Sequence, residues 1–379
     1  MLTFLGAARV GLLTSLFLPA QDHRVKVRSS SMISTVAKSL VAQGKRSMST
    51  VRYSEFGHPL SVLQMEADDK DVALTKGQVS LKFLAAPINV SDLSQIQGAY
   101  AIKPTFPAVA GNEGVAIVTA VGAGVTTVKV NDRVIPTSPG FGTWRSKAVA
   151  KSTEVMKISE KITIQDAATL AVNPSAAYRM LADFVPLHKG DVVIQNGANS
   201  AVGQAVIQLA ALRGLQTINI IRDDGDYDVT VTHLKNLGAT IVCTAEYMGS
   251  AKFKELVSDL PRPKLALNCV GGKTSYEMAQ VLAKKGVHVT YGGMSKEAVS
   301  VGTGSLVFHD ITLKGFWLSQ WVHDSSVEER TTMLSELAKL VETGKLRTWI
   351  QTYKFADFDD ALLAAIHRTT KRKVVLLME

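Results

Sequence analysis

Residues 191–211 read DVVIQNGANSAVGQAVIQLAA. The apolar run Val192–Ile194 predicts a buried strand, and Val206, Leu209 and Ala210 recur at helical spacing. Between them lies a turn of small residues: Gly197, Ala198, Ser200, Ala201 and Gly203. A strand, a tight turn and a helix in this order let a pyrophosphate approach the backbone and rest on unpaired N–H groups at the helix start. Ala201 stands where a dinucleotide fingerprint has its central glycine. The stretch alone therefore leaves two readings open, a nucleotide loop and an ordinary strand-to-helix connection.

The same alternation continues on the C-terminal side. QTINII precedes VTHLKNLG, TIVCTA precedes KFKELVSDL, KLALNCV precedes SYEMAQVLA, and GVHVTYGG closes the series. Strands alternating with helices predict a doubly wound parallel sheet, with its ligand crevice at the carboxyl ends of the strands. On the N-terminal side the texture differs. Segments such as QVSLKFLAAPIN and GVAIVTAVGAGVTTVKVNDRVIP are short, β-branched and rich in turns, which predicts a mostly antiparallel β domain. After TLKGFWL the tail carries a long amphipathic helix through SVEERTTMLSELAKLVETG, whose charges read as a solvated face, and ends on KRKVVLLM.

A chain of 379 residues with 46% hydrophobic and 20% charged residues suits two folded domains and excludes disordered or fibrous classes. Cys243 and Cys269 both lie in apolar runs with no partner at metal-ligand spacing, so neither a disulfide framework nor a cysteine zinc site is expected. The net charge of +9 is concentrated at the start: residues 1–48 hold seven Lys/Arg and one acid, which leaves +3 for the remainder. A nucleic-acid partner loses its support accordingly. This leader is basic, Ser-rich and nearly free of acids, and its apolar run Val10–Ala20 is too short to span a bilayer. It reads as a mitochondrial transit peptide, with a secretory signal as the rival reading.

The order of the two domains, together with AAPINVSDLSQIQGAY, PAVAGNEGV and NDRVIP, resembles the medium-chain dehydrogenase/reductase superfamily from about Val51 to Glu379. Narrower motifs resemble its mitochondrial trans-2-enoyl-thioester reductases: NPSAAYRML (173–181), NSAVGQAVIQLA (199–210), INIIRD (218–223), LALNCVGGK (265–273), VTYGGMSK (289–296) and GFWLSQW (315–321). The resemblance implies an α/β protein in which a GroES-like β-rich catalytic domain (49–170) and a Rossmann domain (171–312) flank a cleft. It also implies a C-terminal segment (313–379) that returns to the catalytic domain. The implied reaction is NADPH-dependent reduction of enoyl thioesters, carried on acyl carrier protein or coenzyme A, in the mitochondrial matrix. A homodimer with no nucleic-acid partner and no membrane insertion is part of the same expectation.

Zinc-dependent alcohol dehydrogenases of the superfamily carry a histidine in a GHE motif, where this chain has Gly111-Asn112-Glu113. Without that ligand or nearby cysteines, no metal is expected and the electrophile must be activated otherwise. Tyr100 matches the family's proton donor; the alternative is a tyrosine packed on a loop beside Pro104. The resemblance carries over as cofactor contacts Asn173, Asn199, Ser200, Ala201, Val202, Tyr291, Gly292, Gly293, Met294, Phe316, Trp317, Leu318 and Lys373. Phe316 and Trp317 also suit a core, the two glycines a strand end, and Asn89 and Asp92 a helix cap. Arg222, followed by Asp223 and Asp224, ends the second Rossmann strand. An arginine there suits a 2′-phosphate and an acid suits a ribose hydroxyl, so the residues are mixed; the resemblance, in which IRD is part of the NADP site, selects NADPH and implies Arg222, Asp223 and Asp224 as further cofactor contacts. Lys103, Arg145 and Lys147 are basic residues expected near the cleft. A quinone-oxidoreductase-like enzyme and a catalytically silent NADPH-binding relative remain as rival readings.

Overall fold

The computed structural model describes residues 49–67, 73–223, 225–367 and 371–378. The leader and Asp224 lie outside the described residues. Strand Gln78–Pro87 is the axis of the first lobe, with alternate side chains buried until both faces close over Ala85–Pro87. It pairs antiparallel with Val115–Val121, Lys147–Lys151 and Lys373–Leu377 in a seven-stranded sheet. A short helix, α1 (Val90–Ile96), leaves the end of this strand. Beside it a three-stranded sheet joins Ser49–Tyr53 to Gln64–Ala67 and Ala108–Val109. Trp144, wholly buried, fills the space between them and donates its indole N–H to Pro87 O at 3.1 Å. This is the GroES-like β-rich lobe.

The second lobe is a parallel sheet of six strands: β1 (Val192–Asn196), β2 (Gln216–Ile221), β3 (Ile241–Thr244), β4 (Leu265–Asn268), β5 (Val287–Thr290) and β6 (Thr312–Gly315). They lie in the order 3-2-1-4-5-6, the Rossmann order. All five residues of β1 are buried, because helices cover both faces of a parallel sheet. Two of those helices are α2 (Asn173–Ala182) and α3 (Ala201–Leu212), which pack on each other. The chain leaves β1 toward β2 and β3, then returns to place β4 on the other side of β1. That reversal opens a crevice at the carboxyl ends of β1 and β4.

The expected domain break at 312/313 falls inside β6, whose four residues pair with Val287–Thr290, so the Rossmann sheet runs to Gly315. Beyond it come α4 (Leu318–Asp324) and α5 (Val327–Glu342). The latter turns its charges outward and buries Met333, Leu334, Leu337 and Ala338, packing on α2. The chain re-enters the first lobe only at Ile350–Lys354, which pairs parallel with Lys373–Leu377. No helix among the described residues is long and apolar enough to cross a membrane.

Candidate active site

A cavity of about 800 Å³ opens along the crevice, lined by residues of both lobes. Its first wall is the loop after β1. Gly197 has φ +60°, and a Cβ there would lie 2.5 Å from Cys269 Sγ; at Gly203 a Cβ would meet the Ala198 backbone at 2.5 Å. Both positions therefore demand glycine. Ser200 caps α3 by accepting from Gly203 N at 3.1 Å, and Gln204 Nε2 holds Asn199 O at 2.8 Å. Unpaired N–H groups at the start of this twelve-residue helix face the cavity and favour an anion.

Buried amides at the strand ends fix the neighbouring loops. Asn196 Nδ2 donates to Asn268 Oδ1 at 2.7 Å, while Asn196 Oδ1 accepts from Cys269 N at 2.7 Å. Asn268 Oδ1 also accepts from Gly271 N at 3.0 Å, and its Nδ2 reaches Thr290 Oγ1 at 3.1 Å. Each amide replaces backbone partners that a strand loses where it ends. The sequence reading does not single these residues out, although each is the polar last residue of an otherwise mostly apolar strand, β1 and β4, which neighbour each other in the sheet.

A second polar cluster lies in the first lobe, against α1. Asp92 Oδ2 accepts from Asn89 N at 2.7 Å, which is the capping role expected of it. The Asn89 side chain does more. It donates to Glu113 Oε2 at 2.9 Å, and its oxygen accepts from Asn173 Nδ2 at 3.1 Å and from the Lys373 ammonium. Lys373 Nζ also donates to Ile88 O at 2.8 Å, and Glu113 Oε1 accepts from Val172 N at 2.8 Å. Burial pushes Glu113 up to about 7 against the pull of Asn89, Lys373 and the Val172 amide. Burial likewise raises Asp92 and lowers Lys373, the two carboxylates opposing the latter change. Glu113 and the bridging part of Asn89 were not anticipated, since a lone Glu and a cap residue carry no signal of long-range contact.

At the place of the missing histidine, Asn112 Nδ2 donates to Asp92 Oδ1 at 2.7 Å and to Gln95 Oε1 at 2.9 Å, and its oxygen accepts from Gly140 N. Both N–H donors of this amide and one lone pair of its oxygen are used internally. Among the described residues no three His, Cys, Asp or Glu side chains converge as a metal site. An amide nitrogen bonded to Asp92 Oδ1 is the wrong donor chemistry for zinc, so the residues present do not fit that ion.

Tyr100 sits on the loop after α1, its N–H bonded to Ser94 O at 3.1 Å. Its phenol projects into the cavity wall, where Trp317 Nε1 donates to the hydroxyl at 2.7 Å and Ser319 Oγ lies 3.0 Å away. The two rings meet edge to face at 5.8 Å and 84°.

The cavity wall brings together Tyr100, Asn173, Asn199–Val202, Arg222, Tyr291–Met294, Phe316–Leu318 and Lys373. Asp223 is not on it; its carboxylate accepts from Gly225 N at 3.3 Å, and Asp224 lies outside the described residues. Arg222 is exposed and forms no ion pair with a described residue. Phe316 and Trp317 are half-buried cavity walls rather than core. Lys103 and Arg145 lie off the wall, over the rings of Phe56 and Phe141 respectively. An anion-ready helix end, close-packed glycines, an arginine at the end of β2 and a cavity of this size fit a phosphorylated dinucleotide.

Two family models match the chain: an alcohol dehydrogenase GroES-like domain over residues 75–160 and a zinc-binding dehydrogenase over residues 201–339. The mitochondrial enoyl-acyl-carrier-protein reductase of Bos taurus is 49% identical over 295 residues, covering 78% of this chain and 79% of its own. Its Homo sapiens counterpart is 45% identical over 328 residues, covering 86% and 87%. Among solved structures, the Etr1p complex with NADP and crotonyl-CoA superposes with a TM-score of 0.80 at 33% identity, covering 88% of this chain and all of that one. A NADPH:quinone reductase described as putative, from Bacillus thuringiensis, superposes at 0.78 but with 27% identity, over 88% of this chain and all of that one.

Proposed function

The chain belongs to the family of mitochondrial enoyl-acyl-carrier-protein reductases, and on that premise we propose that it reduces trans-2-enoyl thioesters to saturated acyl thioesters with NADPH in the mitochondrial matrix. The observation that carries the reading is one cavity walled on one side by the glycine loop and Arg222 and on the other by the Tyr100 phenol. Bound NADPH supplies a hydride to the β carbon of the enoyl group.

The protein's own residues handle the charge that follows. The Tyr100 hydroxyl donates to the thioester oxygen as negative charge builds, or delivers a proton to the α carbon. Trp317 holds the phenol oxygen by donating to it, so the phenol's own proton remains available. Lys373, Asn89 and Asn173 form a bonded set on the cavity wall, and their ammonium and amide groups would hold polar groups of the dinucleotide. Arg222, on the cavity wall, would hold the 2′-phosphate with a planar, permanently charged fork. The carrier is acyl carrier protein or coenzyme A, and residues 1–48 are the import signal.

Two copies pair through the edge of the Rossmann sheet. All four residues of β6 are exposed there, as are Phe308 (75%) and Val307 (66%), and an open edge beside an apolar patch favours pairing with another chain. Light scattering of the purified protein should give twice the chain mass, and Phe308→Glu should give a monomer.

The deciding assay follows NADPH absorbance on addition of 2-enoyl thioesters of increasing length, on both carriers, with quinones alongside. Oxidation with the thioesters supports the proposal. Turnover of quinones alone moves the chain to the quinone-reductase reading, and cofactor binding without any turnover makes it a silent relative.

A further inference from the structure

Two groups converge on the Tyr100 hydroxyl, and they differ in what they can do. Trp317, the residue before α4, presents an indole N–H, which donates and never accepts. It therefore occupies one lone pair of the phenol oxygen and leaves the phenol proton to point elsewhere. Ser319, the second residue of α4, has a hydroxyl 3.0 Å from the same oxygen and can either accept the proton or supply one. It is half-buried and on the cavity wall, so its far side is open to water that enters the cleft. The pair joins residues 219 positions apart, one on each lobe's contribution to the wall.

Resting on the enoyl-reductase reading, we infer that Ser319 is a positioning residue that holds the Tyr100 proton before transfer and replaces it afterwards. Before the reaction Tyr100 donates to Ser319 Oγ, with Trp317 fixing the direction of the O–H bond. After hydride addition the substrate carries an enolate, and the Tyr100 O–H turns about its C–O bond from Ser319 Oγ to the α carbon. The Tyr100 O–H bond breaks and a new C–H bond forms at the α carbon, leaving a phenolate. Ser319 rotates its hydroxyl toward that oxygen, so the phenolate faces two donors, the indole N–H and the serine O–H. The serine proton then passes to the phenolate while a water proton passes to Ser319 Oγ, and hydroxide is left to the solvent. One proton is taken up per turnover, and Tyr100 and Ser319 end as they began. No alkoxide is formed, because the two transfers are concerted.

The test compares wild type, Ser319→Ala, Ser319→Thr, Tyr100→Phe and the Ser319→Ala/Tyr100→Phe double variant in steady-state enoyl-thioester reduction, with melting temperatures. Ser319→Ala should lower kcat by about 10²-fold, the low end of what a positioned proton donor contributes. The KM for NADPH and the melting temperature should not move, and the solvent deuterium effect on kcat should rise. Threonine, which keeps the hydroxyl, should restore most of the rate. The double variant should be no slower than Tyr100→Phe, since a residue acting through the phenol has nothing left to act on. A wild-type rate from Ser319→Ala overturns the relay. So does a loss that threonine does not rescue, one accompanied by a raised NADPH KM or a lower melting temperature, or one that multiplies fully with Tyr100→Phe. If the wild-type protein itself turns over no enoyl thioester, the reaction assignment falls and the relay with it; in every other case only the relay is at stake.

Discussion

The two walls of the cavity are built by opposite strategies. The nucleotide wall comes from consecutive residues: β1, its loop and the start of α3 occupy one unbroken stretch, held by neutral amides such as Asn196 and Asn268. The reaction wall is assembled from distant parts of the chain. Tyr100 meets Ser319 across 219 positions, and Lys373 meets Asn89 across 284. It also concentrates charge, with Asp92, Glu113 and Lys373 in one small buried cluster. A pyrophosphate needs only donors in a fixed arc, which local backbone provides. Directing a proton needs groups of different chemistry at one point, which a single segment seldom supplies.

The sharpest test of that contrast is to remove chemistry from the reaction wall and leave the nucleotide wall whole. Tyr100→Phe should lower kcat by roughly 10³-fold, within the range of a general acid, while NADPH affinity measured by fluorescence titration stays within about twofold. Loss of cofactor binding in this variant would mean that the two walls are not separable. Glu113 offers a second contrast. Its carboxyl sits at about 7 in the folded protein against an ordinary 4.5, so the folded state is penalised as the group ionises. Stability from the neutral form is complete below about pH 4.5 and is lost as pH rises through 7. Glu113→Gln should therefore gain on the wild type as pH rises from about 4.5 to 8, by up to ~3 kcal/mol, because each tenfold change in proton affinity is worth ~1.4 kcal/mol; urea titrations across that range measure it. The neutral amide row carries no such pH dependence. Asn196→Ala should cost the same at either end of the range, and parallel curves for Glu113→Gln would show that the cluster's charges compensate one another completely.

How much of this was legible in the sequence follows from the same contrast. The strand-turn-helix pattern at Asp191–Ala211 is local, and the first five strands of the Rossmann sheet and their helices follow from the alternation it opens. The extent of the sheet was harder to read. TLKG shows no break in pattern, so only its pairing with Val287–Thr290 places Thr312–Gly315 in the Rossmann sheet. The residues drawn from the family likeness fall on one cavity, except Asp223 and the undescribed Asp224. What could not be read was any group whose meaning lies in a contact across the chain. Asn89 reads as a cap and is a bridge; Ser319 carries no signal of its own inside GFWLSQW and touches the phenol.

On the nucleotide wall, Arg222 tests which dinucleotide the loop serves. The side chain is exposed and unpaired with any described acid, so its removal should strand no buried partner and leave the melting temperature unchanged. A charge-assisted contact is worth about 2 kcal/mol, so Arg222→Ala should raise the KM for NADPH by about 30-fold and leave that for NADH nearly unaltered. Equal changes for both cofactors would mean that Arg222 does not read the phosphate.

The smallest effects are expected at two adjacent glycines, and they separate folding from binding within one wall. A Cβ on Gly292 would lie 3.2 Å from Cys269 Cβ and 3.3 Å from Cys269 O, a contact that the strand end must yield to relieve. Gly292→Ala should therefore cost about 1 kcal/mol of stability, in line with mild overpacking. A Cβ on Gly293 meets nothing within 4 Å, and its φ needs no glycine, so Gly293→Ala should melt with the wild type. Yet Gly293 lines the cavity, and a methyl group there takes space that a dinucleotide would fill. The KM for NADPH should rise about three- to tenfold, the value of one misplaced methyl group in a close-fitting site. If Gly293→Ala binds NADPH as the wild type does, the dinucleotide does not pass over this loop, and the nucleotide wall is confined to the helix end and Arg222.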